Sequence, residues 1–272
     1  MRSKIAKAVG LSFNPVAILW AEDKPEQALQ FKPGRWGCVM FMFANAAKGK
    51  TVAFDRETYG CWGGGVGLGF GNTYLQFPGG VDCFAFFLSV GNAKWDAGKG
   101  VGQALEVQAG RAFAESFLEG EAYKATPELV HQFIDELPMT EIPAKYVVFK
   151  PLSEVDQSKE TPQTVVFLAD ADQLSALHIL ANYGREGMDN VIMPWAAGCQ
   201  TIGLLPYREA KRDVSRAVVG LTDISARKYV RSLLGKEFLT FAMPWAMFQE
   251  MESKVAGSFL DGETWKSLRK ER

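Results

Sequence analysis

Residues 164–183, TVVFLADADQLSALHILANY, run an apolar stretch straight into an amphipathic one, and this junction decides how the chain is read. Thr164 to Leu168 reads as a strand. Asp170 supplies the side chain that caps a helix over Ala171 to Tyr183, because its oxygen can accept an N–H that the first helical turn leaves unpaired. Working outward toward the C-terminus, Val191 to Met193 and Ala217 to Leu221 read as strands. Asp223 caps a helix to Leu234, Phe238 to Met243 is a strand, and Trp245 to Val255 is a final long helix. Toward the N-terminus, Tyr146 to Phe149 is a strand, Pro127 to Glu136 and Val107 to Leu118 are amphipathic helices, and periodicity leaves Val81 to Val90 open between strand and helix. Thr51 to Asp55 and Val16 to Trp20 are strands, Gly37 to Ala47 is a buried helix stopped at Lys48-Gly49-Lys50, and a short helix covers Ile5 to Val9. Strands and helices interleave without a repeating unit, so the expectation is α+β: a single domain over residues 1–272 with a mixed β-sheet flanked by helices. Met-Pro-Trp-Ala occurs twice, at Met193 to Ala196 and Met243 to Ala246, and a proline that ends a strand and opens a helix explains both locally.

Bulk properties narrow the function classes. The 272 residues suffice for a full core, and 47% hydrophobic with 22% charged residues is the make-up of a folded globular chain. Thirty basic against thirty-one acidic side chains give a net charge of −1, with no overall pull toward polyanions, so nucleic acid is not an expected partner. The basic runs 208–216, 227–231 and 266–272 read as solvated helix faces. No apolar stretch approaches eighteen residues, which removes a spanning helix and a membrane partner. Lys7, Asn14 and Pro15 interrupt the apolar start, so it does not read as a secretory leader, and a cytoplasmic location is expected. Four cysteines in a chain this long are expected as reduced thiols or metal ligands, not as a disulfide framework.

Three of those cysteines, Cys38, Cys61 and Cys199, stand beside glycine where a helix is about to begin. Thiolate is the form that binds iron or zinc, and a helix N-terminus stabilises it through the dipole and free N–H groups. Cys61 lies in GCWGGGVGLGFG, residues 60–71, with glycine at seven of twelve positions. That density reads as a ligand-facing loop in which Gly60, Trp62, Gly63, Gly64 and Gly65 bind a cofactor. Cys-x-x-Cys pairs are missing, and Cys38 and Cys61 are 61 − 38 = 23 positions apart, so a metal site must be assembled by the fold. His131 and His178 are the only histidines, which excludes a histidine-rich centre. Three cysteines around one pocket leave a position open and favour an iron-sulfur cluster over a closed structural zinc, with redox work as the use. Cys61 with a helix-lowered pKa is also a candidate nucleophile. Cys83, inside an aromatic run, reads as packing. The glycines fit neither G-x-G-x-x-G nor the P-loop. The alternative is a noncatalytic small-ligand module with Trp36, Trp62, Phe70 and Trp195 lining an apolar cavity, and a third reading makes the glycine segment a close-packing contact of a homo-oligomer.

Asn14-Pro15-Val16-Ala17, the Cys38 helix, Gly60-Cys61-Trp62-Gly63-Gly64, Gly198-Cys199, Gly220 to Arg227 (GLTDISAR) and Phe241-Ala242-Met243-Pro244 resemble the domain of unknown function 169 family over nearly the whole chain. The resemblance implies one α+β domain and shared positions at Cys38, Cys61, Gly64, Cys199, Asp223 and Arg227, without an activity. It also implies relatives common in anaerobic bacteria and archaea, a setting suited to an oxygen-sensitive cluster.

Overall fold

A computed structural model describes residues 2–270 of the chain, with residues 108–109 described by backbone alone. The chain divides into two compact units: the first takes residues up to Phe70 and from Glu141 onward, and the second is Gly71–Thr140. Unit one starts with α1 (Lys4–Val9), β1 (Val16–Ala21), α2 (Val39–Ala47), β2 (Val52–Phe54) and α3 (Trp62–Leu68). Unit two contains α4 (Gly80–Phe87), α5 (Asp96–Ala109), α6 (Arg111–Glu119) and α7 (Pro127–Glu136). Unit one resumes with β3 (Tyr146–Pro151), β4 (Thr164–Ala169), α8 (Ala171–Asn182), β5 (Val191–Ile192), α9 (Gly198–Ile202) and α10 (Leu204–Glu209). It ends with β6 (Ala217–Gly220), α11 (Ile224–Leu234), β7 (Leu239–Pro244), α12 (Trp245–Ser253) and α13 (Glu263–Lys270).

The strands form one mixed seven-stranded sheet in the order β2-β3-β1-β4-β7-β6-β5, antiparallel except where β5 joins β6. Side chains alternate along each strand. Val16 and Ile18 of β1, with Val166 and Leu168 of β4, enter one apolar cluster. Ala17 and Leu19, with Val165, Phe167 and Ala169, enter another on the opposite face. The first cluster is completed by α2, α9, α10 and α11, the second by α1, α8, α12 and α13. Because helices cover both faces, β4 is buried at all six positions, and this is why its sequence is a continuous apolar run instead of an alternating one. Phe149 and Phe167 are 0% exposed, and each contributes about 1.5–3 kcal/mol by burial. The capping box at Asp170 forms as its sequence suggests, with Gln173 reciprocating.

Two elements differ from expectation, and one that periodicity left open is settled. Val81 to Val90 is resolved as the helix α4, where Tyr74 stacks on Phe84 at 4.2 Å and Cys83 is buried. The continuous helix expected over Val107 to Leu118 is instead broken at Gly110, whose φ of 89° and ψ of 160° end α5 and start α6. The last helix is not α12: Trp265 on α13 is buried in the second cluster and its Nε1 donates to the Ala8 carbonyl at 3.0 Å, tying the basic tail down.

Candidate functional site

Four helices of unit one, α2, α3, α9 and α11, begin within reach of one another. Cys38 is the N-cap residue of α2, extended and without a side-chain capping bond. Cys61 is the N-cap residue of α3, and its Sγ accepts the Gly64 N–H at 3.3 Å. Cys199 is the second residue of α9, and its thiol donates to the Gly63 carbonyl at 3.1 Å. Asp223 caps α11 by accepting the Ala226 N–H at 2.6 Å, and its other oxygen accepts the N–H of Gly198, the first residue of α9. A methyl placed on Gly64 would lie 2.7 Å from Val39, the neighbour of Cys38, and one placed on Gly198 would lie 2.9 Å from Met40. The fold therefore brings together Cys38, Cys61 and Cys199, and adds a carboxylate to them.

The glycine-rich segment is a helix, not a loop, which corrects the sequence reading. Glycine lowers helix propensity by about 1 kcal/mol per residue, but here its missing side chain lets two helices pack backbone on backbone. A Cβ at Gly67 would sit 2.7 Å from the Cys199 carbonyl carbon. Gly60 precedes the helix with φ 81°, Trp62 opens it, and Gly65 is buried within it, its N–H bonded to the Cys61 carbonyl and its carbonyl to Phe70 N–H. Gly63 and Gly64 both bond to cysteine sulfur.

The electrostatics also correct an expectation. Helix N-termini lower thiol pKa values, yet all three thiols here are raised. Burial pushes Cys61 up to about 12, the Cys38 charge adds to it, and the Gly64 hydrogen bond offsets only part. The residue is half-buried. Cys199 is raised further above its ordinary value by burial, then by Cys61, Asp223 and Cys38. Cys38 is raised by burial, opposed by the N–H groups of Phe41 and Met40. Burial also raises Asp223, with hydrogen bonds from Ala226 and Gly198 and the charge of Arg227 opposing. Desolvation and mutual repulsion outweigh the dipoles, so Cys61 is a neutral thiol at pH 7 and lacks the lowered pKa of an activated nucleophile. Among the described residues, no three His, Cys, Asp or Glu side chains stand close enough to ligate a single ion.

Leu221, 1% exposed, holds φ 61°, a left-handed backbone that costs a bulky residue about 1–3 kcal/mol. It redirects the chain from β6 to place Asp223. Arg227 pins this bend by donating to the carbonyls of Leu221, Phe238 and Lys236. Neither histidine is at the site: His131 meets Asp82 in unit two at 3.1 Å, and His178 lies on α8, which packs on the opposite face of the sheet. Of the aromatics expected around an apolar cavity, Phe70 is part of the core, whereas Trp36 and Trp195 are 41% and 43% exposed.

A family profile described as uncharacterised ArCR, domain of unknown function 169, matches residues 4–254. The chain belongs to this family. The matched span of the domain of unknown function 169 holds all four helix starts, the whole of unit two and unit one as far as Lys254, and α13 lies beyond it. No curated protein and no solved structure matches the chain.

Proposed function

We propose that Cys38, Cys61 and Cys199 bind an iron-sulfur cluster, or another thiophilic metal group, for redox work. The observation that carries this reading is the meeting of three thiols from remote segments, 38, 61 and 199, at adjoining helix starts around one carboxylate. The sign of charge favours a cationic guest. Asp223 already takes N–H groups of α9 and α11, so those two helix starts do not offer a phosphate what helix N-termini usually offer. The thiols would become ligands by giving up their protons to the metal, since coordination requires thiolate and releases protons. When bound, such a group supplies one-electron chemistry and, with three protein ligands, one iron open to a small molecule. The chain's own part is to exclude water with α2 and α9 and to hold Cys199 through the Asp223 bond to Gly198.

The test is anaerobic purification followed by iron and acid-labile sulfide analysis. Iron and sulfide in equal amounts, lost together in a Cys38→Ser, Cys61→Ser, Cys199→Ser variant, are expected. A colourless, metal-free chain after reconstitution removes the proposal.

A further inference from the structure

We infer that Arg208, Arg212 and Arg216, gathered on the buried carboxylate of Glu209, bind the phosphate group of a small molecule. Glu209 ends α10 with its side chain 0% exposed. Its Oε1 accepts Nε and Nη2 of Arg208 at 3.1 and 2.9 Å and Nη2 of Arg216 at 3.0 Å, while its Oε2 accepts Nε of Arg216 at 2.9 Å. Those bonds fill the about four lone-pair sites of a carboxylate. Arg212 is brought round by a turn in which its backbone N–H bonds the Glu209 carbonyl at 3.2 Å, and its Nε stands 3.4 Å from Oε2. It adds charge where the bonding of the carboxylate is already complete. Because all three guanidiniums meet one carboxylate, they belong to one place, in unit one between the end of α10 and the start of β6. The run 208–216 is thus a built cluster and not the solvated helix face expected of it.

Glu209 leaves both donors and charge unanswered. Arg208 and Arg216 each retain Nη1, Arg212 retains both Nη groups, and none of these has a hydrogen-bond partner among the described residues. Three guanidiniums against one carboxylate leave two positive charges. Arg216 is raised above its ordinary value first by its bond to Glu209 and last by the charge of Asp189, which forms no ion pair with it. Lys211 and Asp213 in the same run offset one another, so the excess stays positive. Arg208, Arg212 and Arg216 are 38%, 51% and 25% exposed, which puts their free edges within reach of a solute. Guanidinium forks match the oxygens of a phosphate, and a carboxylate that fixes them in advance removes part of the cost of ordering them. A metal cation is repelled here, and a neutral ligand leaves the charge unanswered. A chain of net charge −1 lacks the broad positive field of a polynucleotide binder, whereas one phosphate group brings nearly two negative charges and several acceptor oxygens to a single spot. The cluster is independent of the metal proposal, since none of its residues bonds to the three cysteines or to Asp223.

Inorganic phosphate and a glycerol phosphate serve as probes, titrated into the full chain at low and at physiological salt and followed by calorimetry. Saturable binding that weakens with salt is expected. Tighter binding of the ester assigns the site to a phosphorylated small molecule, and tighter binding of the free ion assigns it to phosphate itself; both support the phosphate chemistry. Arg212→Ala is expected to weaken binding at least about tenfold, the loss of one charge-assisted contact. Arg212 is the most exposed of the three, and Glu209 keeps its four bonds without it, so the fold should survive; an unchanged circular dichroism spectrum and melting curve shows that it does. Lys211→Ala removes the same charge from the same run without touching Glu209 and is expected to change affinity less than about twofold. Absence of saturable binding of either probe at low salt, an Arg212→Ala chain that binds as the unaltered one does, or a Lys211→Ala chain weakened as much as Arg212→Ala overturns the inference. So does an RNA oligonucleotide that binds more tightly than either probe and loses that binding in Arg212→Ala.

Discussion

Gly67→Ala tests whether the glycines of α3 exist for packing. An ideal Cβ there lies 2.7 Å from the carbonyl carbon of Cys199 and 2.9 Å from its Cβ and its oxygen. Carbon contacts are comfortable at about 3.5–4.0 Å, so the methyl overlaps its neighbours by about 1 Å. Those neighbours are the backbone and first side-chain carbon of α9, which cannot swing aside as a side-chain tip can. Gly67 also presents its carbonyl 2.2 Å from where a Cβ on Gly203 would stand, so the contact is tight at both ends. Overpacking costs about 1–3 kcal/mol, and a clash against backbone belongs to the upper part of that range, about 2–3 kcal/mol, while alanine gains about 1 kcal/mol of helix propensity. The net expectation is a loss of about 1–2 kcal/mol, with the melting temperature lowered by about 2–8 °C. Gly100→Ala in α5 is the opposite case, because nothing lies within 4 Å of its Cβ position. It is expected to gain about 1 kcal/mol. Urea unfolding followed by circular dichroism measures both. A Gly67→Ala chain as stable as the unaltered one, or a gain equal to that of Gly100→Ala, refutes the packing account.

Glu250→Gln tests a pH dependence. Glu250 is held at about 2 by hydrogen bonds from Arg185, against the cost of burial, with Lys254 adding to the effect. A carboxylate depressed in the folded state stabilises fully above its unfolded pKa of about 4.3 and loses that stabilisation as pH falls toward 2. Its side chain is 33% exposed, so the variant should lose only about 1 kcal/mol at pH 7, and urea curves of the two chains should converge by pH 2. A gap that persists at pH 2 counts against the ion pair as its source. Cys61 has the opposite sign. A thiol raised from 9.0 to about 12 stabilises the metal-free chain below pH 9, and that stability is lost as pH rises toward 12. The triple serine variant should lack this alkaline loss, and in the native chain Cys61 should resist iodoacetamide at pH 8 yet react in urea; rapid native alkylation at Cys61 would contradict the assigned pKa.

The strands are readable because burial on both faces leaves a composition signature: β4 has to be apolar at successive positions, and its following cap, Asp170 with Gln173, is a local four-residue device. Local devices can be read from one sequence, whereas the packing of α3 on α9 cannot. Seven glycines in twelve look like a loop by propensity, and only the approach of Cys199, 199 − 67 = 132 positions further on, explains why Gly67 sits in a helix. The thiol pKa values run opposite to the sequence expectation for a related reason. The dipole at a helix start belongs to its own segment and is visible in sequence, but burial and the charges of Cys38, Cys61 and Asp223 on one another depend on which starts adjoin. Asp223 shows the limit most clearly. Its cap on α11 was anticipated, since Oδ1 bonds within the same helix. Its membership of the site depends on Oδ2 reaching Gly198, and on Leu221 taking a φ of 61° to aim it there, neither of which leaves a trace in local pattern. The conformation costs about 1–3 kcal/mol, set against the packing of the leucine side chain with Ala226, Val230 and Leu234 in the first apolar cluster. It is accounted for if the position of Asp223 against the three thiols is what the bend serves; Leu221→Gly keeps that φ without strain but deletes a buried leucine side chain, so urea unfolding is expected to show a loss of about 1–2 kcal/mol, smaller than the about 2–5 kcal/mol of an unstrained buried leucine truncated elsewhere in the core.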